Sequence, residues 1–324
     1  MGLKITDNLL KGMLMYYFII NPNSRSGTGR KIWSRIREEL ALRKVSYKAY
    51  MTEYVGHAVK LAASVSSKGT PDAPVCIVAM GGDGTIQEVL TGIRDFDSVL
   101  FGFIPTGSGN DFCRGMHLFS DPVEALDCVL RKEHIQLMDV PRMTVGKRSC
   151  RFGVSAGIGF DAAICHRVLA SSSKKYLNHA GLGKLIYLLI ALKQLLIVNP
   201  TPVTLYLDGG RKRCYKKAYF TAVMNQPYEG GGFMFCPKAR NNDGILDVIV
   251  VEGVSRLKLL LCLPTAFFGK HTHIKGVHIL RCRSIKITSA VPLAIHRDGE
   301  SGGIESEFSV SLEKKALKVI TPVL

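Results

Sequence analysis

Val75 to Thr85 reads VCIVAMGGDGT: an apolar run that ends abruptly in Gly81-Gly82-Asp83-Gly84-Thr85. Apolar residues without polar alternation mark a strand covered on both faces, as in a parallel sheet. The glycines that end it lack Cβ atoms, so the chain can take φ > 0 and a ligand can lie against the backbone. From Ile86 onward, IQEVLTGI has helical spacing. The loop therefore joins a strand to a helix, at the carboxyl edge of a sheet. Open α/β folds bind ligands at that edge, and helix N-termini there receive phosphate.

The same pattern recurs on either side. Tyr16–Ile20 (YYFII) reads as a first strand, ending in a polar turn from Asn21 to Gly29 that contains Pro22, Asn23 and Ser24. An amphipathic helix over Arg30–Leu42 follows, with Ile32, Trp33, Ile36 and Leu40 on one side. Val45–Met51 is a second strand closed by Thr52, and Gly56-His57-Ala58 opens another helix, with a loop from Ser64 to Pro74. Val99–Ile104 is a further apolar run, ending in Pro105-Thr106-Gly107-Ser108-Gly109-Asn110-Asp111, and Val123–Leu130 is helical. Alternating strands and helices, each strand closed by a polar or glycine-bearing loop, predict a doubly wound nucleotide-binding α/β domain over residues 1–135.

Residues 136–324 read differently. Gln136–Val145, Arg151–Ser155, Val203–Leu207, Ala218–Asn225, Ile245–Val251, Ser284–Ser289 and Phe308–Leu312 are strand-like, with helical interruptions at 182–198 and 255–268. This predicts a mainly antiparallel, β-rich, sandwich-like second domain with helices, whose last strand is free to return to the first domain.

Composition narrows the partners. The 324 residues are 47% hydrophobic and carry a net charge of +17, which calls for an anionic partner: nucleic acid, a phosphorylated small molecule or an anionic bilayer. Basic charge alone supports nucleic acid, with no aromatic-interleaved basic motif beside it, so nucleic acid is set aside. Nine scattered cysteines without a Cys-x-x-Cys pair argue against zinc and for a reducing cytoplasm. The longest apolar stretch, Leu185–Val198, is broken by Lys193 and is too short to span a bilayer. It reads as a buried helix, or alternatively as a lipid-facing or dimer-facing one, which keeps a homodimer among the expectations. The histidines, His271 and His273 included, have no Cys or Asp at ligand spacing and read as ordinary residues.

A carboxylate inside a phosphate cradle needs a reason. Asp83 suggests Mg²⁺, or a base for an attacking hydroxyl; otherwise it caps the following helix. Gly107–Asp111 is a second cradle, where Ser108 offers a hydroxyl, Asn110 a hydrogen bond and Asp111 a further carboxylate. Neither loop is a Walker A sequence or a dinucleotide fingerprint. Gly157-Ile158-Gly159-Phe160-Asp161-Ala162 reads as a tight turn into a helix. The Asn241–Asp247 turn suits either a hard cation or a bare Asx turn. Asp298-Gly299-Glu300 in isolation would be solvated surface.

Taken together and in this order, these motifs resemble the diacylglycerol kinase catalytic-domain family of lipid kinases. The matching pieces are Asn21-Pro22 and its turn, Thr52 with Gly56–Ala58, Gly81–Glu88 (GGDGTIQE), Pro105–Asp111 (PTGSGND), Gly157–Ala162, Asn225 with Gly230–Gly232, Pro237–Asp247 and Asp298–Glu300. GGDGT alone is shared with NAD kinases; PTGSGND and DGE separate this chain from them.

The resemblance implies ATP bound by Asn21, Pro22, Asn23 and Ser24, by Thr52, by Gly81, Gly82, Asp83, Gly84 and Thr85, and by Ser108 and Asn110. It implies a catalytic Mg²⁺ network around Asp83 and Asp111. It also implies a structural Mg²⁺ at Asp243 with the carbonyls of Arg240 and Ile245, and Glu300, with Asp298 beside it, as general base. The expected substrate is a lipid hydroxyl at an anionic membrane surface, with diacylglycerol giving phosphatidic acid, and the expected location is cytoplasmic and peripheral to the membrane. A sphingoid base, phosphatidylglycerol, undecaprenol or a soluble substrate such as NAD is the alternative.

Overall fold

The computed structural model describes residues 14–107, 109–170 and 197–323. Ser108, the N-terminal start and most of the helix expected at 182–198 lie outside the described residues. The chain forms two compact units: one takes in the chain through Val140 together with Lys314 onward, the other runs from Pro141 to Glu313.

In the first unit β1 (Tyr16–Ile20), β3 (Val75–Gly81) and β4 (Val99–Pro105) are buried along their whole length, as apolar runs without alternation require. With β2 (Tyr47–Met51), β5 (His134–Met138) and β15 (Leu317–Thr321) they make one sheet in the order β2-β1-β3-β4-β15-β5. The first five are parallel, and β5 runs antiparallel to β15. Helices α1 (Ser24–Leu42), α2 (His57–Ser66), α3 (Asp83–Gly92), the short α4 (Asp111–Gly115) and α5 (Pro122–Arg131) connect the strands. Trp33, Ile36 and Leu40 of α1 are buried in the sheet core, as their spacing anticipated.

Two expectations change here. Helix α1 begins at Ser24 rather than Arg30, so most of the polar turn is its irregular first part, with Arg25 at φ 47° and Gly27 at φ 94°. Polar composition is a sign of turns and of helix starts alike. The continuous strand expected at Gln136–Val145 is two strands, β5 and β6 (Pro141–Val145), in different sheets.

The second unit is antiparallel throughout. Its strands are β6, β7 (Arg148–Arg151), β8 (Ser155–Gly159), β9 (Thr201–Leu207), β10 (Arg211–Met224), β11 (Leu246–Glu252), β12 (Val277–Cys282), β13 (Ser284–Arg297) and β14 (Glu300–Leu312). They follow the order β12-β11-β10-β8-β13-β14-β6-β7. The long strands β10 and β13 each pair with β9 along one half and with β8 along the other, with a register break between. Period-two alternation divides the side chains between two cores: Ala156, Ile158, Val223 and Ile295 enter one, Phe220, Ala222 and Met224 the other. Helix α6 (Phe160–Ala170) follows β8, and α7 (Arg256–Ala266) follows β11.

Candidate active site

Because β1 to β4 are parallel and in register, their carboxyl ends share one edge: Ile20 stands opposite both Met51 and Met80, and Gly81 opposite Pro105. The strand order reverses between β1 and β3, so the loops after Ile20 and Gly81 open at a topological switch point. The sequence-identified loops of this unit therefore converge.

Side-chain bonds fasten them. Asn21 Nδ2 donates to Thr85 Oγ1 at 3.2 Å, joining the β1 loop to the first turn of α3. A Cβ on Gly81 would lie inside contact distance of Thr85, so that position must be glycine. Ser24 Oγ donates to the Asn21 carbonyl at 2.9 Å and shares a 2.7 Å hydrogen bond with Thr106 Oγ1. Ser24 is buried, and its hydroxyl ties the β1 loop to the β4 loop. Gly82 and Gly107 face one another; a Cβ on Gly107 would sit 2.7 Å from Gly82 Cα.

The acids have distinct tasks. Asp83 opens α3, yet its carboxylate accepts the backbone N–H groups of Asp111 and Phe112, both at 3.1 Å. It caps the neighbouring α4, not the helix it begins. Asp111 is buried and ion-paired with Arg114. The Oδ2 atoms of Asp83 and Asp111 both approach Gly109, where a Cβ would lie 3.4 and 3.9 Å from them. Asn110 holds a left-handed backbone (φ 51°), and its Oδ1 is buried without a hydrogen-bond partner among the described residues. Hard oxygen donors gathered over a glycine suit Mg²⁺. Thr52 lies at the same edge, its N–H bonded to the Ile20 carbonyl at 2.8 Å.

Two contributors escaped the sequence reading. Thr106 had no assigned role. Glu88 accepts the N–H groups of Gly56 (2.8 Å) and Ala58 (3.1 Å), so it holds the loop after β2 against α3. A carboxylate five residues into a helix that begins at a ligand loop was the available signal.

In the second unit, Asp298 and Gly299 are the two central residues of the β13–β14 hairpin, at φ 44° and 77°, with Arg297 paired to Glu300. Two consecutive positive φ values are the geometry an Asp-Gly hairpin turn supplies. Asp298 is not solvated surface. It is buried, and its carboxylate accepts the N–H groups of Gly153 (2.7 Å), Val154 (2.8 Å) and Ser155 (3.0 Å). Burial pushes its carboxyl up to about 6 despite those three donors. Through these bonds it fastens the hairpin turn to the segment from Gly153 to Ser155. The side chain of Glu300, half-buried, has no hydrogen-bond or ion-pair partner among the described residues.

One histidine is not ordinary. His296 is fully buried, with Nε2 3.0 Å from Asp161 Oδ2 and 3.1 Å from Glu229 Oε1. Burial alone would lower its pKa, but the carboxylates of Glu229 and Asp161 outweigh it and hold the ring up at about 9, so the imidazole is charged at neutral pH. Gly157 leaves the space: a Cβ there would meet His296 Nε2 at 2.5 Å. The two partners lie far from His296 in sequence, so ligand spacing could not reveal them.

At the Asn241–Asp247 turn, Asp243 Oδ1 accepts the Ile245 N–H at 3.1 Å and Oδ2 is ion-paired with Arg281. This is the Asx turn, with a guanidinium already answering the carboxylate. Arg281 therefore competes with any cation, such as the Mg²⁺ expected at Arg240, Asp243 and Ile245, for Asp243 Oδ2. Among the described residues no helix is long and apolar enough to cross a membrane.

Both parts of the chain resemble known proteins. Residues 15–143 match the diacylglycerol kinase catalytic domain, and residues 154–321 match the YegS C-terminal NAD kinase beta sandwich-like domain. A Bacillus subtilis protein named "Putative lipid kinase YtlR" is 30% identical over 314 residues, covering 95% of this chain and 100% of that one. A Mycobacterium tuberculosis protein named diacylglycerol kinase is 29% identical over 264 residues, 81% of this chain and 80% of its own. A crystal structure of a "putative diacylglycerol kinase" from Bacillus anthracis shares the fold, with a TM-score of 0.73 at 23% identity over 96% of this chain and 95% of that one.

Proposed function

The chain belongs to the diacylglycerol kinase catalytic-domain family, and from that premise we propose that it transfers the γ-phosphoryl group of ATP to the hydroxyl of a lipid, with diacylglycerol the first candidate and phosphatidic acid its product. The observation that carries the reading is the convergence of Asp83 and Asp111 oxygens over Gly109, at the sheet edge where α3 begins.

Phosphoryl transfer asks a protein for positioning and charge neutralisation more than for covalent chemistry. The ATP phosphates lie against Gly81–Thr85 and the first turn of α3, whose N–H groups and dipole favour anions. Asn21 and Thr85 keep that loop closed on the β1 turn. Ser24 and Thr106 keep the β1 and β4 loops together, so neither hydroxyl needs to reach phosphate itself. Asp83, Asp111 and the unpartnered Asn110 oxygen would hold Mg²⁺, which when bound neutralises charge on the phosphoryl oxygens.

The proton of the attacking hydroxyl goes to Glu300, a carboxylate without a competing partner among the described residues. The hydroxyl oxygen forms the new P–O bond, the bond to the β-phosphate oxygen breaks, and ADP departs. Asp298 is a positioning residue in this scheme. A lipid substrate places the protein at a membrane surface, and the basic charge favours an anionic one.

The test is transfer of label from [γ-³²P]ATP with Mg²⁺ to lipids in mixed micelles: diacylglycerol, phosphatidylglycerol, sphingosine, ceramide and undecaprenol, with NAD as the soluble control. Label on diacylglycerol, lost in Asp83→Ala, Asp111→Ala and Glu300→Ala, is the expected result. Label on another lipid moves the substrate and keeps the mechanism. Label on NAD alone, or none at all, overturns the proposal.

A further inference from the structure

The outer face of α7 is left unexplained by that chemistry. On its inner face Leu259 and Ala266 are buried, and with Leu263 they close an apolar pocket floored by Phe220, Ile249 and Val251. The opposite face of such a helix is ordinarily polar. Here Leu257 and Leu261, one turn apart, are each 67% exposed, with Leu260 exposed beside them. Phe268, just past the helix, is 74% exposed. Its neighbour Phe267 stacks on Phe233 at 4.1 Å between ring centres, which anchors the turn and leaves Phe268 outside.

Charge accompanies this apolar face. From Arg256 to Lys275 the sequence holds four Lys or Arg residues and no Asp or Glu. Arg256, Lys258, Lys270 and Lys275 are all exposed, and none meets a carboxylate among the described residues. Lys258 Nζ donates to the Lys275 carbonyl at 3.1 Å, and Arg256 donates to the Val198 carbonyl and Asn199 Oδ1 at 3.1 and 3.2 Å. These bonds orient the cations and leave their charge unneutralised.

Single exposed leucines are common on proteins. A leucine stripe and a phenylalanine among uncompensated lysines have the chemistry of an interfacial helix, whose apolar side chains enter the acyl region while ammonium groups stay at phosphate level. A second copy of the chain, docking through the same face about a two-fold axis, would set these cations against their own copies. We propose that α7 and the turn after it, Arg256 to Lys275, dock this protein on the surface of an anionic bilayer. Leu257, Leu261 and Phe268 enter the lipid, and Lys258, Lys270 and Lys275 lie among the headgroup phosphates. The proposal rests on the lipid-kinase reading for its purpose and on these exposed residues for its location.

The test is co-sedimentation of the full chain with phosphatidylcholine vesicles, with and without phosphatidylglycerol. The unsubstituted protein binds the phosphatidylglycerol vesicles. Binding falls about a hundredfold in Lys258→Glu/Lys270→Glu/Lys275→Glu, at roughly fivefold per lysine. It falls at least about tenfold in Leu257→Glu/Leu261→Glu/Phe268→Glu. Both variants keep the thermal midpoint and the turnover of a water-soluble short-chain diacylglycerol, since none of these residues belongs to the catalytic machinery.

Equal binding by parent and both variants, or no binding by the parent, overturns the docking face. So does a dimer that the leucine variant dissociates without loss of vesicle binding, which would make the face an interface between copies. Vesicle binding that depends on these residues in a protein that phosphorylates no lipid would keep the docking face and sink the kinase reading.

Discussion

The carboxylate of Asp83 receives the backbone N–H of Asp111 at 3.1 Å, so the first glycine loop physically sets the start of the helix that carries the second acid. It also receives the N–H of Phe112 at 3.1 Å. The backbone at the start of α4 therefore depends on the Asp83 side chain. Asp83→Ala strips two partly buried donors of their acceptor and is expected to cost about 1–3 kcal/mol. That lowers the thermal midpoint by about 2–4 °C per kcal/mol for a chain of this size. Asp83→Asn keeps an oxygen acceptor and costs less stability, but loses the charge and abolishes phosphoryl transfer. Calorimetry on both variants beside the transfer assay checks this; an Asp83→Ala protein that melts with the parent contradicts the capping role.

Gly157 and His296 stand opposite one another on β8 and β13. Any side chain at 157 enters the space between the imidazole and Asp161, since a Cβ lies 2.5 Å from Nε2 and 2.8 Å from Asp161 Oδ2. Gly157→Ala is therefore expected to displace a buried ion pair and cost about 3–5 kcal/mol, the range for breaking such a pair. Urea unfolding reads this directly. A loss below about 1 kcal/mol would mean that the ring moves aside freely.

The same histidine sets a pH window. Its folded pKa, about 9, lies above the ordinary value of 6.5. A raised cationic pKa stabilises the fold fully below the unfolded value, and the contribution is lost as pH rises through the folded one. Stability attributable to His296 is therefore present below about pH 6.5 and gone above about pH 9. Asp298 and Asp247, both held up at about 6 chiefly by burial, lower stability as pH rises from about 4 to about 6, because the folded state binds the extra protons there. The difference in thermal midpoint between parent and His296→Gln should shrink steadily from pH 6.5 to 9; a difference that stays flat over that range rules out the charged ring.

Much of this was readable beforehand. Uninterrupted apolar runs gave away the parallel strands, because burial on both faces leaves no polar residue to alternate with. Glycine loops at their ends marked the candidate site, because close backbone contacts such as Gly82 on Gly107 admit nothing larger. What stayed hidden is what depends on distant pairing. Asp298 looked like surface in a charged turn, yet its acceptors are satisfied by a segment 143 or more residues away. His296 lacked local ligands because its partners come from α6 and the loop after β10. The helical start of α1 was obscured because Asn, Ser and Gly favour turns and helix starts equally.

Arg281 and Asp243 give a further contrast. The guanidinium bonds Asp243 and lies 3.6 Å from Asp247, whose carboxyl is pushed up to about 6 by burial against the pull of Arg281. Arg281→Met leaves two neighbouring carboxylates without a cation and is expected to lower stability by about 1–2 kcal/mol. Chelation of divalent ions should leave the thermal midpoint of the parent unchanged, while Arg281→Met gains stability from added Mg²⁺ as the ion takes the vacated place. A midpoint that drops on chelation in the parent would instead establish a structural metal at this turn.

Asp298 and Glu300, two residues apart in one hairpin, should fail in opposite ways. Asp298 is buried under three N–H donors, so Asp298→Ala orphans all three and is expected to destabilise the second unit by about 2–4 kcal/mol. Any activity it loses follows from that disorder, and should return partly at low temperature. The Glu300 side chain bonds nothing among the described residues, so Glu300→Gln should leave the thermal midpoint within about 1 °C of the parent. Its turnover should fall about 10²- to 10⁴-fold, the range for a lost general base, with KM for ATP unchanged. A Glu300→Gln enzyme with full turnover would move the proton to another acceptor, and a stable Asp298→Ala protein without activity would return Asp298 to the chemistry.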